Sequence, residues 1–282
     1  MIHRDGTLDT VSARTIAKQL LAQGDRVVQA PPGVTILIYH RVGGGSDSEV
    51  DLDVDAFRRQ LEHLRDHHHV VPLDAVPALV DAGDAGDAGG ADRHVVITFD
   101  DGTDDFCDHV VPALVEYELP ATLYAATQFI DEGIDFPWGA APTTWAALRD
   151  AVATGLVTIG SHTHTHALLD RAAPADIGAE LDRSIDLIAA QLGAPPAHFA
   201  YPKALPGSEA AEAEVRTRFS TAALARSRVN RPGRTDLHRL WRTPVQRSDG
   251  HDFFVAKAAG GLRLEGELRD LVAKAKYRGA TR

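Results

Sequence analysis

The chain has 282 residues, 44% of them hydrophobic and 24% charged, which supplies a sizeable core for one soluble domain rather than two. A formal net charge of -11 argues against a general nucleic-acid or anionic-membrane binder, because phosphate recognition draws on a surplus of Lys and Arg. One cysteine, Cys107, excludes an intramolecular disulfide, and no run of about 20 apolar residues offers a transmembrane helix.

In chain order, residues 1–33 read as an extension without the uninterrupted apolar run or small-residue cleavage site of a secretory leader, which predicts a cytoplasmic protein. "VTILIYH" (Val34 to His40) predicts a buried strand ending on His40. Val54 to His67 predicts an amphipathic helix with Phe57, Leu61 and Leu64 on one face. The run His67 to His69 falls at that helix's end, where imidazolium suits the dipole, and helix-end decoration is preferred to a metal site there. A helix in "PLDAVPALV" precedes the repeat Asp81 to Gly90, whose Gly, Ala and Asp cannot bury a core and predict a surface loop.

Further strands are predicted at His94 to Phe99, Ala121 to Ala126, Leu156 to Gly160, His198 to Pro202 and Ser220 to Ala225, with helical periodicity between them, as in Ala175 to Gly193. Cys107 stands among carboxylates, which raise a thiol pKa, so a structural role is expected. Alternating strands and helices mean a parallel sheet, open or closed into a barrel. Ligands of such folds sit at the carboxyl ends of the strands. Polar residues collect there: His40, then Asp100 and Asp101, then His162 and His166, then Tyr201 and Lys203.

"ITFDDG" puts two carboxylates side by side at a strand end, where a continued strand would aim them at opposite faces. Only a turn brings both to one site, and Gly102 supplies the freedom for it. Their mutual repulsion invites a divalent cation, with histidine as the usual co-ligand. If "SHTHTH" stays extended, His162, His164 and His166 share a face; if it turns, His162 and His166 approach each other and His164 points elsewhere. The spacing leaves both open.

"TFDDG" followed by "SHTHTH" resembles the polysaccharide deacetylase, or NodB-homology, family, also called carbohydrate esterase family four. The resemblance covers roughly Val34 to Gly250 and implies an irregular (β/α) barrel with parallel strands and outer helices, an α/β fold. It implies one catalytic domain with a core over about 34–250, an N-terminal extension 1–33 and a C-terminal helical segment 251–282. Carried over, Asp100 is the general base and Asp101, His162 and His166 are ligands of a divalent metal ion, zinc first, with cobalt, nickel or iron also able to fill such a site. The implied activity is hydrolysis of the N-acetyl amide of an amino sugar or glycoconjugate, with no nucleic-acid partner, no membrane insertion and an oligomeric state that sequence does not give.

Two departures stand out. "FAYPKALPG" looks like the version found in the poly-N-acetylglucosamine deacetylase branch, but Lys203 stands where an aromatic is common and the arginine that orients the base is missing. Lys203 is expected to contact an anionic substrate group or brace Asp100, and the backbone N–H of Tyr201 is a candidate donor to the oxyanion. The late Leu-x-His motif that donates the general acid is absent, whereas "ILIYHRV" matches the N-terminal Tyr-His of the same motif-permuted branch, so the resemblance makes His40 the acid. Trp138 in "GIDFPWGAAP" is a candidate sugar-stacking residue, while Arg242 and Asp249 fall in a run similar to that branch without a fixed role. A non-sugar amide substrate and a non-catalytic carbohydrate-binding relative are the alternatives.

Overall fold

The apolar runs become strands, which we label in chain order in a computed structural model describing residues 30–81 and 93–261: β1 Gly33–Tyr39, β2 Arg41–Val42, β3 Asp51–Leu52, β4 His69–Val70, β5 Arg93–Asp101, β6 Ala121–Ala125, β7 Val157–Ser161, β8 His198–Ala200, β9 Thr221–Ala225 and β10 Leu240–Pro244. Seven of them close a parallel barrel in the order β1, β5, β6, β7, β8, β9, β10 and back to β1. β1 lines one edge of β5 from Gly33↔Arg93 to Tyr39↔Phe99. The other edge is shared, β4 taking His94 and Val95 and β6 taking Ile97 to Asp101. This makes the barrel irregular. β5 runs two residues past the predicted Phe99, because Asp100 and Asp101 still pair with Tyr124 and Ala125.

Alternation along each strand separates the two faces. Val34, Ile36, Val96, Tyr124, Ala200, Ala223 and Leu240 pack inward, together with Leu73, Val76 and Val80. Those last three belong to the 3₁₀ turn Leu73–Ala75 and the helix Val76–Asp81, which therefore plug the mouth where the strands begin. Leu37, Tyr39, Ile97, Phe99 and Leu123 face outward against Phe57, Leu61 and Leu64 of the helix Val54–His67. That helix starts where Asp53 accepts the Ala56 N–H, and its apolar stripe is the predicted one. The helix Pro174–Leu192 ends at Gly193, whose φ of 87° is the left-handed stop that glycine favours. With one mouth plugged, chemistry is confined to the carboxyl ends.

Residues 1–29, 262–282 and the Asp81 to Gly90 repeat beyond Asp81 lie outside the described residues. No described helix is long and apolar enough to cross a membrane. Gly160, inward on β7, leaves room for one ring only: a Cβ there would stand 2.6 Å from Tyr124 Cδ1 and 2.9 Å from the His198 carbonyl oxygen. Gly160→Ala is expected to cost roughly 1–3 kcal/mol in chemical denaturation through overpacking; unchanged stability would mean that Tyr124 moves aside freely.

Candidate active site

Asp100 follows Val96 on the inward face of β5 and is buried. Asp101 stays on the same side because the backbone reverses there: its φ is 77°, and the Gly102 N–H donates to the Asp100 carbonyl at 3.1 Å. A γ-turn of this hand is strained for a residue with a side chain, of the order of 1–3 kcal/mol. Two bonds hold it, Ala126 N–H to the Asp101 carbonyl at 3.0 Å and Thr143 N–H to the Gly102 carbonyl at 2.9 Å.

The histidine stretch also turns. β7 stops at Ser161, and Thr163 and His166 take φ values of 65° and 60°. His162 and His166 come together with ring centroids 5.0 Å apart, while His164 turns away to Thr127, Nδ1 to Oγ1 at 3.0 Å. The extended alternative with three imidazoles on one face is thereby overturned. His162 Nδ1 lies 2.8 Å from the Ala200 carbonyl, an acceptor only, so Nδ1 carries the proton and Nε2 presents its lone pair to the barrel mouth.

Asp101 Oδ1 lies 3.6 Å from His162 Nε2 and 3.4 Å from His166 Nε2. An ion bound tetrahedrally at about 2.0–2.1 Å holds its donors about 3.3–3.4 Å apart. Asp101, His162 and His166 are the one trio of metal-ligating side chains among the described residues whose donor atoms converge, and they fit a divalent metal. Burial pushes the His162 pKa down to about 4 against the pull of Asp100, so the ring is neutral and free to coordinate at neutral pH.

Arg242 stands beside them. From the inward face of β10 it grips Asp100 with both ends of its guanidinium, Nη1 to Oδ1 at 2.5 Å and Nη2 to Oδ2 at 2.9 Å, and it lies over the Tyr124 ring at 5.0 Å. Burial pushes the Asp100 carboxyl up, but Arg242, His162 and His40 outweigh it and hold the pKa at about 2. Arg242 thus occupies the place of the arginine missing from the "FAYPKALPG" segment, and Lys203, exposed after β8, does not brace the base. The sequence carried a signal: an arginine on the inward parity of a buried strand must find a counterion.

His40 is half-buried and follows Tyr39, the β1 partner of Phe99, so it leaves β1 at the same rim at which Asp100 and Asp101 end β5. Trp138 is 47% exposed, with its ring 5.8 Å from that of His166 and stacked on Phe136 at 4.9 Å, which in turn stacks on Phe129 at 4.4 Å. Tyr201 is a correction. One residue past inward-facing Ala200, it points outward into the cluster with Leu169, Phe199 and Val215, and its N–H is already spent on the Ala223 carbonyl at 3.1 Å. It offers the oxyanion nothing. Cys107 accepts from Thr143 Oγ1 at 3.1 Å and its thiol pKa is raised by burial, a structural role.

A polysaccharide deacetylase family model matches residues 87–220. Over those residues the chain is similar to polysaccharide deacetylases. Members of this family are hydrolases acting on amide bonds. Among solved structures the chain is similar to IcaB from Ammonifex degensii, with 25% identity and a TM-score of 0.69 over 82% of this chain and 98% of that one. It is similar in fold to the Streptococcus pyogenes deacetylase PplD in complex with acetate (20% identity, TM-score 0.69, 81% and 99% covered). The de-N-acetylase from Aggregatibacter actinomycetemcomitans shares the fold too (18%, 0.62, 79% and 99%). No curated protein matches the sequence.

Arg242→Met leaves the Asp100 carboxylate buried without a counterion, so metal-free protein is expected to lose roughly 3–5 kcal/mol in urea denaturation. A depressed carboxylate pKa gives stability that is complete above the ordinary 3.8 and lost as pH falls through about 2. The variant's deficit is therefore expected to be full at neutral pH and to fade toward pH 2, and a deficit that grows in acid would refute the ion-pair account.

Proposed function

We propose that this chain is a metal-dependent de-N-acetylase that hydrolyses the N-acetyl amide of an amino sugar, alone or in a glycan or glycoconjugate, to a free amine and acetate. The observation that carries the reading is the division of labour between adjacent carboxylates: both Asp100 oxygens are bonded to Arg242, with Oδ2 also 3.8 Å from His162 Nε2, whereas Asp101 Oδ1 alone converges with both His162 and His166. One is kept ionised and unligated, and the other joins the ligand set.

Asp101, His162 and His166 are the residues to hold the ion, with zinc the default for one carboxylate and two imidazoles. When bound, a divalent ion supplies Lewis acidity, polarising the acyl carbonyl and acidifying water toward a pKa of about 7. Asp100 then takes the attacking water's proton. A carboxylate near pKa 2 is a weak base, so this assignment depends on the water being acidified, which ties Asp100 to the neighbouring trio. His40, at the end of β1 next to β5, protonates the departing amine. Trp138 offers an open indole face beside His166, suited to the apolar face of a pyranose, and exposed Lys203 is left for an anionic substituent of the substrate.

Asp100→Asn is expected to abolish acetate release while leaving metal content unchanged; retained turnover sinks the base assignment. Acetate release from monomeric, nucleotide-linked and oligomeric N-acetylglucosamine locates the substrate. Trp138→Ala is expected to raise KM on sugars about tenfold with little change in kcat, since it removes stacking worth about 0.5–1.5 kcal/mol and adjoining burial. An equal loss on a non-sugar amide would count against a sugar platform.

A further inference from the structure

Four imidazoles gather on the outer wall of the barrel, away from its mouth. His63 and His67 stand one turn apart on the helix Val54–His67, His68 follows at its C-cap, and His251 lies in the first turn of the helix Gly250–Ala258. His63 is the hub, its ring centroid 4.7 Å from His67, 5.3 Å from His68 and 5.7 Å from His251, with Phe254 edge-on at 6.2 Å behind it. Its Nε2 is buried and makes no hydrogen bond. A buried polar atom left without a partner is uncommon enough to ask for a ligand.

The spacing answers which ligand. An imidazole bound through nitrogen at about 2.0–2.1 Å puts its ring centre about 3.2 Å from the ion, so two such rings at a tetrahedral angle lie about 5.2 Å apart. The three separations from His63 bracket that value, and the His162–His166 pair of the catalytic mouth stands at 5.0 Å. Histidines four apart on a helix share a face and form a natural chelating pair. The charge balance agrees. Burial lowers the pKa of His63, with His67 and His251 adding to it and Asp66 opposing, and lowers that of His68 to about 4, with His63, His67 and Arg93 adding. Asp66 is itself exposed and paired with Arg65 at 2.8 Å, so no buried carboxylate supports protonated rings. Neutral rings keep their lone pairs.

We propose that His63, His67 and His251, with His68 as a fourth donor, form a second metal site, for an imidazole-seeking divalent ion such as zinc, copper or nickel, that ties the helix Val54–His67 to the helix Gly250–Ala258. Their nitrogen atoms do not yet converge, since only Asp101, His162 and His166 hold three donors within 4.8 Å among the described residues. His67 and His251 are exposed, and closing the site requires their rings to turn toward the His63 nitrogen. The site is assembled by the ion, and its role is to staple two helices rather than to activate water.

The test counts ions. Full-length protein stripped with chelator is dialysed against micromolar free zinc and its metal content measured, beside the double variants His63→Ala/His67→Ala and His162→Ala/His166→Ala. Two ions per wild-type chain and one per chain in each variant is the expected result. Zinc is also expected to raise the Tm of the His162→Ala/His166→Ala protein and not that of the protein carrying all four substitutions, while the His63→Ala/His67→Ala protein keeps its hydrolytic activity. His251→Gln, a surface change, is expected to weaken the second ion at least tenfold. No ion in the His162→Ala/His166→Ala protein, or two in the His63→Ala/His67→Ala protein, overturns the proposal, whereas no ion in the His63→Ala/His67→Ala protein counts against the site at the mouth alone, so the two readings fail separately.

Discussion

The buried pair between Asp100 and Arg242 is the constraint on which the mouth of the barrel depends. Two ions leave water to make it, a penalty that attraction offsets only when geometry is bidentate and the remaining donors are satisfied. Both conditions hold, because Arg242 also donates Nε to the Leu224 carbonyl at 3.3 Å and lies over the Tyr124 ring. The pair spans the barrel between β5 and β10, two strands that are not neighbours and are separated by β1. It fixes the direction in which Asp100 points and leaves Asp101 free to face the histidines.

Placing two adjacent carboxylates on one side of a strand end is unfavourable backbone work, and the chain does it twice over. Asp101 adopts a left-handed φ, and so do Thr163 and His166 on the facing loop. Each turn is held by bonds from a third segment: Thr143 and Ala126 hold the first, and the Gln128 N–H, donating to the His164 carbonyl at 2.8 Å, holds the second. Local strain of this sort persists only where the surroundings over-determine it. Here the surroundings are the helix starting at Thr127 and the loop ending at Thr143, neither of which touches the acyl chemistry.

Six of the seven barrel strands were legible, each a short apolar run at a parity the sequence shows, whereas β10, "LWRTP" with Arg242 at its centre, is not such a run and was not read as a strand. The same parity separates Asp100 from Tyr201: "HFAYP" alternates, so with Ala200 inward the Tyr201 side chain faces out, while its N–H, the expected oxyanion donor, continues the ladder to the Ala223 carbonyl, a pairing with β9 that the segment alone does not show. Whether "SHTHTH" turns was not legible, since threonine and histidine tolerate either conformation and the deciding contacts come from Thr127 and Gln128, distant in sequence. Arg242 was visible as a residue and invisible as a partner, because its counterion lies on β5, far back along the chain. Local pattern carries the scaffold, and non-local pairing carries the site.

Histidine accounting then distinguishes roles that residue type cannot. His198 lies at the start of β8, near the plugged mouth, and spends both ring nitrogens, Nδ1 on Thr221 Oγ1 at 2.8 Å and Nε2 on Asp74 Oδ1 at 3.0 Å. It is saturated and serves as a latch between β8, β9 and the plug. His162 spends one nitrogen on Ala200 and keeps the other facing Asp101, the arrangement of a ligand whose orientation is fixed from behind. His63 has a buried Nε2 with nothing to bond, although it sits within reach of three more imidazoles. A buried imidazole nitrogen without a bond is uncommon, and under the proposed second site coordination is what satisfies it, which sets His63 apart from His162, held from behind, and from saturated His198.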